Sequence, residues 1–269
     1  MGGVVIISQT KKDKKKILIV EDDNLIASLI ESFLVKKDYA VVGKVSSGED
    51  AINMAIKHLP DLILMDIQLD GKIDGILATK YISSMFKIPV LFVSGEENEQ
   101  TFSKAAEASP AGYIIKPFTA NDIYSNIEIA IKNSRLKRTS KSNYELPAIL
   151  AYKSMSENDA YFLLDDKGRI IFLNPYSEHM INRTISQVAL SSINNYLAFY
   201  DIQTREPIPD TFKNAVRESN FFGRKTKIAV KLAKGNFRPV VVSSFVVNDS
   251  FENHLGTLFK VHLKARDEM

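Results

Sequence analysis

Cysteine is absent from this chain of 269 residues, and its absence removes several classes of chemistry. Without thiols the chain cannot form disulfides, bind metals through thiolates, use a cysteine nucleophile or form a cysteinyl adduct with a flavin. Long apolar runs are also missing, and the N-terminus lacks the charged, apolar and small-residue regions of a signal peptide. We therefore expect a cytoplasmic protein with no membrane partner.

A surplus of positive charge is confined to the first residues. The formal net charge is +3, and residues 1–16 contain five lysines against one acid, Asp13. That segment carries +4, which leaves −1 for the rest of the chain. A run of like charges is typical of a solvated tail, so we predict a disordered basic tail over residues 1–15 and expect no nucleic-acid partner.

Between residues 16 and 137, short apolar runs alternate with amphipathic stretches in which apolar residues recur at helical spacing. Five strands that alternate with helices predict an α/β domain with a doubly wound, parallel sheet. Ligands bind such sheets outside the carboxyl ends of the strands. The runs that predict strands are ILIV (17–20), AVVGKV (40–45), LILM (62–65), PVLFV (89–93) and GYII (112–115).

Polar residues follow four of these strands at the point where each ends. Glu21 and Asp22 follow the first strand, Asp66 the third and Lys116 the fifth, while Ser94 ends the fourth. Any one of them alone is best explained as a helix cap or a surface charge. Because parallel strands end at one edge, however, we expect all five to converge there. Clustered carboxylates favour Mg²⁺, and a carboxylate shielded by metal and lysine can accept a phosphoryl group, which makes Asp66 a candidate nucleophile.

Four motifs in this region resemble the receiver domain of two-component response regulators, which has a flavodoxin-like fold. The resemblance covers about residues 16–137. It implies that Asp66 is the phosphoacceptor, with Lys116 and Ser94 as its catalytic neighbours. It also implies a switch formed by Ser94 and Tyr113 and a cis peptide before Pro117. The motifs are VEDD (20–23), LILMDI (62–67), VSG (93–95) and GYIIKPF (112–118).

The same resemblance implies a magnesium site. Asp22 corresponds to a direct ligand and Glu21 to an acid that reaches the metal through water. Asp66 and the backbone carbonyl of Gln68 complete the implied ligand set. The chain departs from the commonest family pattern at Asp70, where proline is usual, so the loop after Asp66 is expected to differ.

The composition changes near residue 138, and a second domain is predicted beyond it. Residues 138–154 are basic and polar at first and then amphipathic, which predicts a linker or connector helix. Residues 155–267 predict a smaller α+β domain with an antiparallel sheet, formed by a hairpin over 160–174 and three longer strands within 226–265. With Asn174-Pro175 after the second strand and a helix over 209–220, this domain resembles a PAS domain.

No cofactor other than Mg²⁺ is expected. The helix predicted over 209–220 contains no histidine, although haem-binding PAS domains carry their axial ligand there. Apolar side chains of the second domain are explained by an ordinary core without a ligand pocket. We therefore expect neither haem nor flavin.

The favoured hypothesis is a phosphorelay response regulator. A sensor histidine kinase phosphorylates Asp66, and the PAS-like domain relays the signal by protein contact, with a homodimer through either domain as a further expected interaction. No enzyme activity is expected beyond the receiver's own phosphoryl transfer and dephosphorylation. The alternative left open is a PAS domain that senses a small molecule and modulates the receiver.

Two other classes fit the sequence less well. A phosphatase with an aspartyl nucleophile needs a second acid two residues after the first, where Gln68 stands, and a nucleotide-binding enzyme needs a glycine-rich loop after the first strand. A transcription factor needs a module that reads DNA, but residues 144–269 predict hairpins and no helix-turn-helix.

Overall fold

The computed structural model describes residues 14–95, 99–140, 159–209, 228–231, 237–248 and 254–263. Their strands form two separate sheets, one of five strands and one of seven. The first sheet belongs to the N-terminal domain and the second to the C-terminal domain. Among the described residues, no helix is long and apolar enough to cross a membrane.

The first sheet is entirely parallel and confirms the predicted doubly wound α/β fold. Its strand order is β2-β1-β3-β4-β5. Every residue of β3 and β4 is buried, as expected for strands that helices cover on both faces. The strands are β1 (Lys16–Val20), β2 (Ala40–Val45), β3 (Leu62–Met65), β4 (Val90–Ser94) and β5 (Gly112–Ile115).

Five helices cover the two faces of this sheet. Buried residues of α1 and α5 form a core with one face, and those of α2, α3 and α4 belong to the core on the other. Asp23 caps α1 and Asp74 caps α3, so both helices begin at the edge where β1 and β3 end. The helices are α1 (Asn24–Lys36), α2 (Gly48–His58), α3 (Gly75–Phe86), α4 (Glu99–Glu107) and α5 (Ala120–Ser140).

The second sheet is antiparallel, with strand order β7-β6-β12-β11-β10-β8-β9. The predicted hairpin over 160–174 and the three later strands are confirmed. Two short strands, β8 and β9, were not predicted, because segments of three and two residues show no alternation. The strands are β6 (Asp159–Asp165), β7 (Ile170–Leu173), β8 (Phe199–Asp201), β9 (Pro207–Ile208), β10 (Ile228–Lys231), β11 (Phe237–Asn248) and β12 (His254–Leu263).

Two short helices follow β7, namely α6 (Pro175–Ile181) and α7 (Ile185–Val188). The helix predicted over 209–220 lies outside the described residues, apart from Pro209. The predicted linker over 138–154 also lies outside the described residues from 141 onwards, because the described chain stops at Ser140, where α5 ends. Of the predicted basic tail, only Lys14 and Lys15 are described, and the ammonium of Lys15 donates to Glu128 at 2.7 Å.

The C-terminal domain contacts the N-terminal domain at α2 and α3. Helix α2 packs near β7, and α3 packs near β11. On α3, the buried Tyr81 directs its hydroxyl towards the carbonyl of Leu255 in β12, 3.5 Å away. The C-terminal domain therefore meets the face of the first sheet that lies opposite α1 and α5.

The side chain of Asn174 connects β6 to α6 by hydrogen bonds. Its side-chain oxygen accepts from the backbone N–H of Tyr161 and of Ser177, both at 3.0 Å. Its amide nitrogen donates to the carbonyl of Asp159 at 2.8 Å. One side chain therefore caps α6 and also satisfies two backbone groups of β6.

We expect Asn174→Ala to lower the free energy of unfolding by about 2–3 kcal/mol, because it removes a cap and leaves β6 backbone groups unpaired. The exposed Asn194 provides the control, and Asn194→Ala should cost less than about 0.5 kcal/mol. Urea unfolding followed by circular dichroism measures both. Equal losses in the two variants would contradict the proposed bridging role of Asn174.

Candidate functional site

Three acids converge at the carboxyl edge of the first sheet. Glu21, Asp22 and Asp66 each place one carboxylate oxygen within 4.8 Å of the others. Their strands are neighbours, and the N–H of Asp66 donates to the carbonyl of Val20 at 2.8 Å. Glu21 and Asp66 are 4% and 7% exposed, whereas Asp22 is open to solvent. The cluster therefore forms a shallow pocket that is open to solvent on the side of Asp22.

Lys116 supplies a fixed positive charge to this cluster. It follows β5, and its ammonium lies 2.5 Å from Oδ2 of Asp66 and 2.9 Å from Oε1 of Glu21. Its backbone N–H donates to the carbonyl of Ser94 at 2.8 Å, and the peptide between Lys116 and Pro117 is cis, as the resemblance implies. The structure thus brings the predicted lysine at the end of β5 to acids at the ends of β3 and β1, which lie two and three strands away.

The electrostatics of the pocket follow from burial and from these contacts. Burial raises the pKa of Glu21 to about 7, and the charge of Asp66 adds to the rise while Lys116 opposes it. Burial alone would lower the pKa of Lys116, but its hydrogen bonds to Asp66 and Glu21 raise that pKa above the usual value. The lysine is therefore charged at neutral pH. Glu21 is protonated in part of the molecules at that pH and ionised in the rest.

The loop after β3 holds Asp66 against the start of α3. Oδ1 of Asp66 accepts from the N–H of Gln68 at 3.0 Å. A Cβ added to Gly75 would lie 1.9 Å from the carbonyl oxygen of Asp66, so only glycine allows the helix to begin this close to the strand. The assignment of the Gln68 carbonyl as a metal ligand stays a prediction.

Ser94 and Tyr113, the two residues of the predicted switch, lie on the neighbouring strands β4 and β5. Ser94 is 5% exposed at the end of β4, beside β3 and β5. The ring of Tyr113 in β5 packs on Phe92 and Phe102, with centroids 5.6 and 5.4 Å away. Burial raises the pKa of Tyr113, and its hydroxyl makes no hydrogen bond within the described ranges. The switch roles of these two residues stay predictions.

Glu49, at the start of α2, was missed by the sequence analysis. It is only 3% exposed, and its Oε1 accepts from the backbone N–H of Lys72 in the loop after β3, at 2.9 Å. In the sequence it follows the capping residue Ser47 and looks like an ordinary acid of a first helical turn. Its contact spans 23 residues, so no local pattern could have indicated it.

A parallel α/β sheet with an acid cluster and a lysine at its carboxyl edge defines a domain suited to bind a hard cation and a phosphoryl group. Residues 17–128 match the family described as the response regulator receiver domain. The N-terminal domain therefore belongs to the response regulator receiver family.

Two curated relatives match part of the chain. The transcriptional regulatory protein PdtaR of Mycobacterium tuberculosis is 31% identical over 121 residues, which cover 45% of this chain and 58% of PdtaR. The transcriptional regulatory protein ResD of Bacillus subtilis is 27% identical over 166 residues, or 61% of this chain and 67% of ResD. The chain thus spans little more than half the length of PdtaR.

Among solved structures, the chain is similar to the signal receiver domain of a modulated diguanylate cyclase from Desulfovibrio desulfuricans G20. The identity is 33% and the TM-score is 0.45, and the match covers 46% of this chain and 99% of that domain.

The close approach at Gly75 generates a stability prediction. Gly75→Ala should lower the free energy of unfolding by about 1–3 kcal/mol, because the new methyl group must displace the Asp66 carbonyl or the start of α3. Gly95→Ala is the matched control, since a Cβ at Gly95 would meet no atom closer than 4.0 Å. Urea unfolding of both variants measures the difference, and equal stabilities would show that the loop yields without cost.

Proposed function

We propose that the protein is a two-component response regulator that accepts a phosphoryl group on Asp66 from a sensor histidine kinase. The observation that carries the proposal is the 2.5 Å contact between Lys116 and Asp66 within a cluster of three acids in a receiver domain. An acyl phosphate site requires a cation held beside the carboxylate and an open side for the donor, and here the partly buried Lys116 and the solvent-exposed Asp22 provide them.

In the proposed reaction, a carboxylate oxygen of Asp66 attacks phosphorus. The bond between phosphorus and the histidine nitrogen of the kinase breaks, and the electron pair stays on that nitrogen. The charge of Lys116 offsets the charge on the phosphoryl oxygens, and the N–H of Gln68 holds the carboxylate in place. Hydrolysis of the same acyl phosphate ends the signal, and we propose no other enzyme activity.

The donor set fits Mg²⁺. All three side chains offer oxygen, and the solvent-exposed Asp22 leaves room for metal-bound water. Asp22 and Asp66 would hold the ion directly, with Glu21 through water and the backbone carbonyl of Gln68 as a further ligand. When bound, the ion supplies positive charge to the phosphoryl oxygens.

The C-terminal domain is proposed to relay the signal by protein contact, as a PAS-like domain. Its direct packing on α2 and α3 supports a relay within the chain. A homodimer through either domain, a cytoplasmic location and the absence of haem, flavin, nucleic acid and membrane partners stay predictions. A small-molecule sensor in the C-terminal domain stays the alternative.

Phosphorylation of Asp66 is tested with acetyl phosphate and Mg²⁺. We expect one phosphoryl group per chain in the intact mass, and we expect base to remove it because an acyl phosphate is labile. Asp66→Asn should abolish the addition, whereas Asp70→Asn, in the loop just beyond, should not. Full addition to the Asp66→Asn protein would overturn the assignment.

Mg²⁺ binding is expected to depend on pH through Glu21. Because its pKa is raised to about 7, protons compete with the ion below that value, and the apparent affinity should fall roughly tenfold between pH 8 and pH 6. Isothermal titration calorimetry measures this change.

Two variants separate the contributions of the acids to Mg²⁺ binding. Glu21→Gln should flatten the pH dependence, because it removes the titrating group. Asp22→Ala should weaken binding at every pH, because it removes a direct ligand. An unchanged pH profile in Glu21→Gln would show that Glu21 is not the competing group.

A further inference from the structure

The loop between β3 and α3, residues 67–74, is packed on the N-terminus of α2. Ser47 and Asp70 form an isolated parallel β-bridge. At Gly48 the approach is so close that an added Cβ would lie 2.2 Å from the carbonyl oxygen of Ile73. The loop that begins beside Asp66 therefore lies against a helix of the same sheet face.

Glu49, in the first turn of α2, holds the middle of this loop through its carboxylate. Its Oε1 accepts from the N–H of Lys72, and its carboxylate lies so near Gly71 that an added Cβ there would be 2.7 Å from Oε2. Gly71 has a φ of +108°, which favours glycine. The buried carboxylate of Glu49 and the backbone conformation of Gly71 together fix the position of the Lys72 backbone.

Lys72 extends from this loop to the C-terminal domain. Its ammonium donates to the carbonyl of Gln187 in α7 at 3.0 Å. Helix α7 packs near β7, and β7 in turn contacts α2. The loop is thus joined to the C-terminal domain twice, directly through Lys72 and indirectly through α2.

The other end of the loop is bonded to Asp66. The N–H of Gln68 donates to Oδ1 of Asp66, the side chain on which we propose phosphorylation. Phosphorylation there replaces the single carboxylate charge by a phosphoryl group of about −1.5 to −2 and adds new acceptor oxygens, which change what that N–H faces. Gln68 and Lys72 are four residues apart in the same loop, which therefore connects Asp66 to the carbonyl of Gln187.

We propose that this loop couples the phosphorylation state of Asp66 to the C-terminal domain, with Glu49 and Lys72 as its positioning residues. The coupling rests on the proposed phosphorylation of Asp66. It uses the face formed by α2 and α3, and so it is separate from the predicted switch at Ser94 and Tyr113. The coupling is reciprocal, so docking of the C-terminal domain also biases the phosphorylation equilibrium.

Amide hydrogen exchange of the full chain, followed by mass spectrometry, tests the coupling. We expect phosphorylation with acetyl phosphate to change exchange in residues 185–193 about fivefold or more, the lower end of ordinary coupling between sites. Lys72→Met should remove most of that change, because it keeps the length of the side chain but not the donor. Lys72→Arg should keep it.

Lys57→Met is the matched control, since Lys57 is an exposed lysine in the last turn of α2. It should respond as the unchanged protein does. Intact mass of the same samples reports whether Asp66 carries the phosphoryl group, which separates failure of the coupling from failure of the proposed function. A phosphorylated protein without an exchange change in 185–193, or an equal change in Lys72→Met, would overturn the coupling.

Discussion

The contact of Lys116 with Asp66 and Glu21 is the interaction on which the site depends. Three acids at one sheet edge repel one another, and two of them are buried, where repulsion is least screened. One ammonium between them offsets part of that repulsion without a metal. It also ties the end of β5 to the ends of β1 and β3, which makes the edge a defined pocket.

This arrangement needs close backbone packing around Asp66. Asp66 must follow a buried strand, present its carboxylate to the pocket and still allow α3 to start at Gly75, nine residues later. Gly75 permits that start, and the N–H of Gln68 orients the carboxylate. The backbone thus holds the Asp66 carboxylate in a defined position, which would lower the reorganisation needed in the proposed reaction.

Much of the N-terminal domain could be predicted from the sequence, because its signals are local. Apolar runs predicted the five strands, and the polar residues at the ends of four of them predicted the pocket, since parallel topology brings those ends together. The pairing of Lys116 with Asp66 followed from this rule, although the residues are 50 positions apart. The hairpin formed by β6 and β7 was predicted equally well from its turn.

The rest depends on packing between distant segments. Glu49 carries no pattern that separates a buried loop anchor from an ordinary helical acid. Strands β8 and β9 exist because they pair with β10 and with each other, not because of their own sequence. The site of domain contact was missed for the same reason. The packing of two completed domains decides this interface, and it lies at α2 and α3.

The central claim is that phosphate is carried on one carboxylate, and borohydride reduction of the phosphorylated chain tests it most directly. Reduction converts an aspartyl phosphate into homoserine, which peptide mass spectrometry locates to a single residue. We expect homoserine at position 66 and at no other acid. Homoserine at Asp22 or Asp70 with an unmodified Asp66 would contradict it.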